Sequence, residues 1–280
     1  MIELINKTPL RAVTFLFVVT LLTVVFITSC WEFFSGNVFP NTTLGLYNKD
    51  FWENVLVEAH GMIFDILIIG VIVVWLDTRR TNHNEKKSML NELSDMSYLD
   101  LPEVNHRKVG MMHRLNNLGV ITFNIEGLIL TNVRIKRLRF EGSNFSFLKT
   151  IDSSISGTEF IETSLFRADF SEADIKSTRF ISCEMKKAVF IKSKANGVDF
   201  SNSNLERAKF MNAHLKNAIF KGCNLREVNF ESANLRNANL KGASYVKVEN
   251  LLKAKNLDYI VVDEDIKAKL RDLGAKAKGI

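Results

Sequence analysis

Two carboxylates stand inside an apolar stretch. Glu58 and Asp65 fall with Gly61 at i, i+3 and i+7, a spacing that puts all three on one stripe of a helix. An ionisable group at mid-membrane costs about 2.5–3.5 kcal/mol on insertion scales, so such a stripe must face protein or water. Two roles fit. In one, Asp65 accepts hydrogen bonds from Thr20 or Thr23 of the preceding apolar segment, or from a neighbouring subunit, while Glu58 sits near the outer headgroups. In the other, both acids line a proton or ion path through an oligomer.

Elsewhere the residue types that carry chemistry are dispersed. His60 lies off the acidic stripe, His106 and His113 have no cysteine or carboxylate at ligand spacing, and His214 belongs on a surface. Cys30, Cys183 and Cys223 form neither a CxxC nor a Cys/His pair, and an odd, scattered set is no disulfide framework. There is no HExxH, GxSxG, Walker A or Rossmann glycine pattern. The sequence therefore predicts no catalytic residue, cofactor or metal site, and the chain is expected not to be an enzyme.

The acids belong to the second of two apolar segments. Residues 12–31 carry no charge and are long enough for a bilayer core, as are residues 55–76, with Trp52 and Trp75 spaced like interfacial anchors roughly 34 Å apart. Lys7 and Arg11 precede the first; Arg79, Arg80, Lys86 and Lys87 follow the second; Lys49 is offset by Asp50 and Glu53 between them. The positive-inside rule then predicts a multi-pass protein of a bacterial inner membrane with both termini cytoplasmic. A rival reading makes residues 1–29 a lipoprotein signal ending at Cys30.

Four regions follow: a transmembrane helical hairpin over 1–76, a helical linker and N-terminal cap over 77–120, a repeat region over 121–250, and a C-terminal cap with a basic tail over 251–280. In the linker, Met89, Leu90, Leu93 and Met96 suggest one weak amphipathic helix. Val109, Met112, Leu115 and Leu118 suggest another, starting near Pro102 and ending at Gly119. The basic run suits anionic headgroups. At the far end Asp263 is expected to cap a helix carrying Ile266, Leu270 and Leu273.

From Ile125 to Tyr245 every fifth residue is apolar except Thr150, and the residue two places earlier is nearly always small, a register kept for about 25 repeats. The central residues read as inward plugs, the small ones as tight corners, and the Asn or Asp between them as partners of local backbone. Every glycine from Gly127 to Gly242 lies two places after a centre, where a turn with positive φ would select it. Stretches such as Ala233-Asn234-Leu235-Arg236-Asn237-Ala238-Asn239-Leu240 resemble the A-(D/N)-L-x-x unit of the pentapeptide-repeat family. That resemblance implies a β-solenoid: a right-handed quadrilateral β-helix with four repeats per coil. Phe160, Phe170 and their successors to Phe230 would then stack on two opposite faces and aliphatics on the other two, in a rod roughly 30 Å long. Cys183 and Cys223, two coils apart, cannot bridge.

The outside carries what function there is. Residues twenty apart stack, so Arg167, Lys187 and Arg207 share one edge and Lys176, Lys216 and Arg236 another. Ile151, Ile191 and Met211 share one outer face and Ile161 and Ile181 the opposite one; Phe147 and Phe166 are also off-centre. The expected partners are membrane lipids, an unidentified protein, and a second copy in a homo-oligomer. A net charge of +6 excludes the acidic, DNA-shaped topoisomerase inhibition found in some family members, and no nucleic acid is expected. The chain reads as a membrane-tethered scaffold, with an oligomeric pore-forming effector as the alternative.

Overall fold

The computed structural model describes residues 9–37 and 49–279, with side chains 9–12 and 49 left out. Lys7, and the side chains of Arg11 and Lys49, therefore lie outside the described residues. The chain divides into two units, Met1–Glu85 and Lys86–Ile280.

In the first unit α1 (Pro9–Ser29) is followed by α2 (Trp31–Asn37) after a bend of 68° at Cys30. The hydroxyls of Thr20, Thr23 and Thr28 each donate to the carbonyl four residues back, at 2.8 Å, so these three are satisfied within the helix. Next comes α3 (Lys49–Asp95), an unbroken helix of 47 residues. It does not stop at Leu76: no proline or glycine interrupts residues 71–95, and the weak pattern expected as a separate linker helix continues it. By length and composition α3 can cross a membrane, and α1 with α2 makes a second such element if the bent pair is one span. Gly70 packs where a Cβ would overlap Val13, so α1 and α3 approach through a small residue. Ile63 and Val24 are buried on the same side, and Trp31 Nε1 donates to Glu53 Oε1 at 3.1 Å.

The second unit is a parallel β-solenoid. Six short strands form two sheets: β1 (Arg134–Lys136), β3 (Ser154–Ser156) and β5 (Asp174–Lys176), and β2 (Arg139–Glu141), β4 (Glu159–Ile161) and β6 (Arg179–Ile181). All pairs are parallel and in register at twenty residues, as in Ile135↔Ile155↔Ile175 and Phe140↔Phe160↔Phe180. Isolated bridges carry that interval from Asn124 to Ser244. A coil of twenty residues thus contains four five-residue repeats. Each repeat bonds up and down: the Phe200 N–H reaches Ile219 O at 2.7 Å in one neighbouring coil, and the Asp199 N–H reaches Thr178 O at 3.3 Å in the other.

Every residue two places after a centre, from Gly127 to Gly242, has positive φ, glycine or not. The glycine positions had marked a conformation required at each corner. Most of the Asn and Asp residues before a centre accept the N–H two residues on, as Asp199 Oδ1 does from Ser201 at 2.9 Å.

The centres fill the shaft. Phe160, Phe180, Phe200 and Phe220 stack at 5.0–5.3 Å and within 7° of parallel. Phe170, Phe190 and Phe210 stack at 4.8 Å on the other aromatic face. Rings of the two columns also meet edge-on, as Phe200 and Phe210 do at 5.7 Å and 81°.

The small residues close the corner turns, as Ala168 does through its N–H on Leu165 O at 3.0 Å, and they also point inward. Ala168, Ala188, Ala208 and their equivalents are fully buried and point into the shaft beside the centres, so crowding there is what restricts their size. At several places where that position is polar the side chain bridges coils: Ser203 Oγ accepts from the Cys183 N–H at 3.0 Å and donates to Phe180 O at 2.9 Å.

Tyr245, expected as the last plug, is 58% exposed. Beyond Ser244 the interval becomes twenty-two, with Asn234 bridging Asn256 and Asn239 bridging Val261. Two extra residues are taken up by the short helix α5 (Val248–Leu251), whose Val248 and Leu251 are buried, and Leu257 and Ile260 fill a further coil. The ladder therefore runs to Val261, past the boundary expected at 250. The first coil is covered by α4 (Pro102–Asn117), through Val109, Met111, Met112 and Leu115. Its end at Gly119, φ +80, is closed by the Val120 N–H on Leu115 O at 2.9 Å, while Leu118 is exposed. The last coil is flanked by α6 (Glu264–Asp272), with Leu270 buried and Leu273 exposed. Asp263 precedes α6 but accepts the Gly242 N–H at 3.0 Å, tying the helix to the solenoid in place of capping its own first turn.

Candidate functional site

Glu58, Gly61 and Asp65 are all exposed, on the side of α3 away from Ile63 and Gly70. The predicted bonds from Thr20 and Thr23 to Asp65 do not form, because both hydroxyls serve their own helix. The stripe does exist; its partner is not α1. Trp75 is exposed with the Arg79 guanidinium 5.3 Å from its ring centroid, a pairing that suits an interface between apolar and polar surroundings.

On the solenoid, Ile151, Ile191 and Met211 share a column one residue after their centres, and all three are half-buried. Ile161 and Ile181 share the equivalent column on another side, with the same half-burial, because residues here lie flat along the ladder. The structure brings each group together as the twenty-residue interval requires.

The basic edge is more varied. Arg207 Nε donates to Glu227 Oε2 at 2.7 Å, which raises the guanidinium further and holds the Glu227 carboxyl below its ordinary range. Arg167 and Lys187 instead lie over aromatic rings, 5.7 Å from the Phe147 centroid and 6.0 Å from the Phe166 centroid. Other charges form inter-coil ladders, such as Arg139–Glu159–Arg179 at 2.9 and 3.0 Å.

A buried polar node at the head of the solenoid escaped the sequence reading. Lys108 is fully buried, and its Nζ lies 2.6 Å from Leu99 O, 2.8 Å from Ile129 O, 3.1 Å from Asn105 Oδ1 and 3.2 Å from Ser97 O. Burial pushes its pKa down and the nearby Asp100 carboxylate opposes that. Asp100 accepts from Thr131 Oγ1 at 2.5 Å and Asn105 Nδ2 at 2.8 Å, bonds that hold its carboxyl below the usual value. One ammonium thus joins the turn after α3, helix α4 and the first coil. The only sequence signal was a lysine on the apolar side of an amphipathic helix.

Cys183 and Cys223 are free and buried, with desolvation raising both thiols to about 12. They are shaft filler, each donating to a carbonyl of the preceding coil. Cys30 is free and half-buried. Among the described residues no three His, Cys, Asp or Glu side chains gather as a metal site.

A parallel solenoid with a twenty-residue coil, a filled shaft and patterned outer columns defines a repeat protein whose free surface is its outside. The model of the pentapeptide repeats matches residues 183–222 and 208–244, so this part of the solenoid is built of pentapeptide repeats. No curated protein matches it. Three solved structures of the fold are similar. A pentapeptide repeat protein from the Arabidopsis thaliana thylakoid lumen is 18% identical over 44% of this chain and 77% of that one, with a TM-score of 0.31. HetL from Nostoc sp. strain PCC 7120, involved in heterocyst differentiation regulation, is 23% identical over 54% and 93%, TM-score 0.17. QnrB1, a plasmid-mediated fluoroquinolone resistance protein, is 16% identical over 56% and 98%, TM-score 0.20.

Proposed function

We propose that the chain is a non-enzymatic protein-interaction scaffold. Its right-handed, four-sided repeat rod is held in the cytoplasm by helices in a bacterial inner membrane, with both termini cytoplasmic. One observation carries this reading: the shaft is occupied along its length by stacked phenylalanines, so contacts are made by outer columns. The apolar columns of Ile151, Ile191 and Met211 and of Ile161 and Ile181, with the basic edge of Arg167, Lys187 and Arg207, are the partner-facing groups. Lipid headgroups take the basic run after Trp75. The test is crosslinking mass spectrometry of the protein in its own membrane. A protein crosslinked to the parent and lost when Ile151, Ile191 and Met211 become Ser is expected; no protein crosslink to any face of the rod would sink the reading.

A second reading has its own support in the outward stripe of Glu58 and Asp65. A carboxylate on the lipid side of an apolar helix is tolerable when another subunit or water faces it. The chain is then a homo-oligomeric membrane effector that leaks ions under control of the repeat domain. Ion leakage on overexpression, abolished by Asp65→Asn and Glu58→Gln, is its signature; an intact membrane potential at high expression excludes it.

A further inference from the structure

The corner column that begins at Gly127 changes character along its length. Tyr98 rests on Gly127, with its Cζ 3.2 Å from where a Cβ would stand. One coil on is Phe147, then Arg167, then Lys187, each bonded through its N–H to the following coil at 2.8–3.0 Å. Phe166 lies beside them, edge-on to Phe147 at 5.6 Å. Rings come first and cations after, in one line.

Three features set this edge apart. Tyr98 is 69% and Phe147 42% exposed, in a chain whose other solenoid phenylalanines from Phe123 to Phe230, Phe166 excepted, are buried. Phe147 also sits at φ +62, a left-handed corner that glycine occupies freely and a side chain occupies at a cost; no other corner between Gly127 and Gly242 carries an aromatic residue. Two unfavourable choices at one position, strain and exposure, bring no burial in return. Thirdly, Lys186 and Arg207 on the same edge have carboxylates within 4.0 Å, whereas among the described residues Arg167 and Lys187 have none.

We infer that this edge, Tyr98, Phe147 and Phe166 followed by Arg167 and Lys187, is a docking site for an extended protein segment in which apolar side chains are followed by acidic ones. Charge complementarity identifies the occupant: cations over rings offer carboxylates a site that no described side chain fills, while the rings beside them offer apolar contact. The pattern is a line, which an extended chain can match coil by coil; a bilayer needs a plane. The inference rests on the scaffold reading and moves the contact from the isoleucine columns to this corner.

The test uses the full chain in detergent micelles and fluorescence anisotropy of a labelled dodecapeptide, Leu and Phe in its first half and Glu in its second. Controls are the same peptide with Lys for Glu, and equimolar phosphatidylcholine–phosphatidylglycerol vesicles. Binding should weaken by about tenfold or more in Phe147→Gly and in the double variant Arg167→Glu, Lys187→Glu, and by less than about threefold in Lys216→Glu, an exposed cation on another edge. Phe147→Gly suits the left-handed corner, so its melting temperature should not fall and a loss of binding cannot be laid to misfolding. Equal binding of the Lys peptide, indifference to Phe147→Gly, or vesicle capture through this corner without peptide binding would each overturn the inference. Peptide binding that Ile191→Ser abolishes and Phe147→Gly spares would overturn it too, while leaving the scaffold reading intact.

Discussion

The coils before Cys183 and those after Met185 follow one path with different bonds. In the coils from Phe145 to Met185 two of the four corners lack the turn bond from the small residue back to the preceding centre, as all four do in the coil from Ile125, and β1–β6 form beside such open corners. Thr158, Thr163 and Thr178 stand at those corners. From Met185 to Ala243 every corner is closed, as by Ala208 on Leu205 at 2.9 Å and Ala218 on Leu215 at 3.1 Å. The family model matches only this later part. The comparison separates two things that the consensus merges. Apolar centres at an interval of five set the coil, whereas Ala two places earlier and Asn one place earlier tighten its corners.

Truncating the shaft should cost most and should cost both regions alike. Phe200→Ala and Phe160→Ala are each expected to lose about 3–5 kcal/mol in urea unfolding, because both rings sit in one stacked column. A loss under about 1 kcal/mol at either site contradicts the packing.

The head of the solenoid should come next. Lys108→Met leaves the carbonyls of Ser97, Leu99 and Ile129 without that donor, for a loss of about 3 kcal/mol. Hydrogen exchange should show the loss in the amides of Ile125–Phe145 before those of Phe220–Leu240.

Exchanging the small residues probes the comparison directly. Ala208→Thr, at a closed corner, should destabilise by about 1–3 kcal/mol through overpacking. Thr163→Ala, at an open one, should cost about 1 kcal/mol for its hydroxyl bond to Ile161 O. Equal costs would mean that the corners do not differ in room.

Acid should act at one end, and more weakly. The folded Asp100 carboxyl lies below its ordinary value of 3.8, so the stability it contributes is full above that value and is lost as pH falls through the depressed one. Asp100→Asn should remove that acid dependence from the melting curve of the head coils and leave the tail coils unchanged.

The smallest effect is chemical. Iodoacetamide near neutral pH should modify Cys30 and spare Cys183 and Cys223 until the solenoid unfolds, both buried thiols being raised to about 12. Because the phenylalanine columns run past both, the two should become reactive at one urea midpoint; separate midpoints would show that the early and late coils unfold independently.

What could be read in advance was whatever repeats. The coil interval, the positive φ marked by Gly127, Gly142 and the other glycines, the paired phenylalanine columns and the Gly119 helix end all follow from spacing and residue type. What could not be read arises where spacing fails. A repeat of five cannot see past the two residues inserted after Ser244, so the coil ending at Val261 was hidden and Tyr245 was assigned to the interior. The inward direction of the alanines was missed because smallness serves a corner and a crowded core equally. The burial of Lys108 could not be read because most of its partners are carbonyls, which no side-chain pattern announces. The alignment of the outer columns follows from the twenty-residue interval, whereas the ring-and-cation edge depends on Tyr98, which lies outside the repeats and rests against Gly127.

The twenty-residue interval also limits how such a chain can change its length. Loss or gain of a whole coil shortens or extends the rod while every outward column keeps its alignment. Loss or gain of a single repeat keeps every centre apolar but turns everything downstream onto the neighbouring side, setting phenylalanines over aliphatics within and leaving Arg167 and Lys187 no longer in line with Phe147. Interior grammar tolerates steps of five; surface meaning survives only steps of twenty.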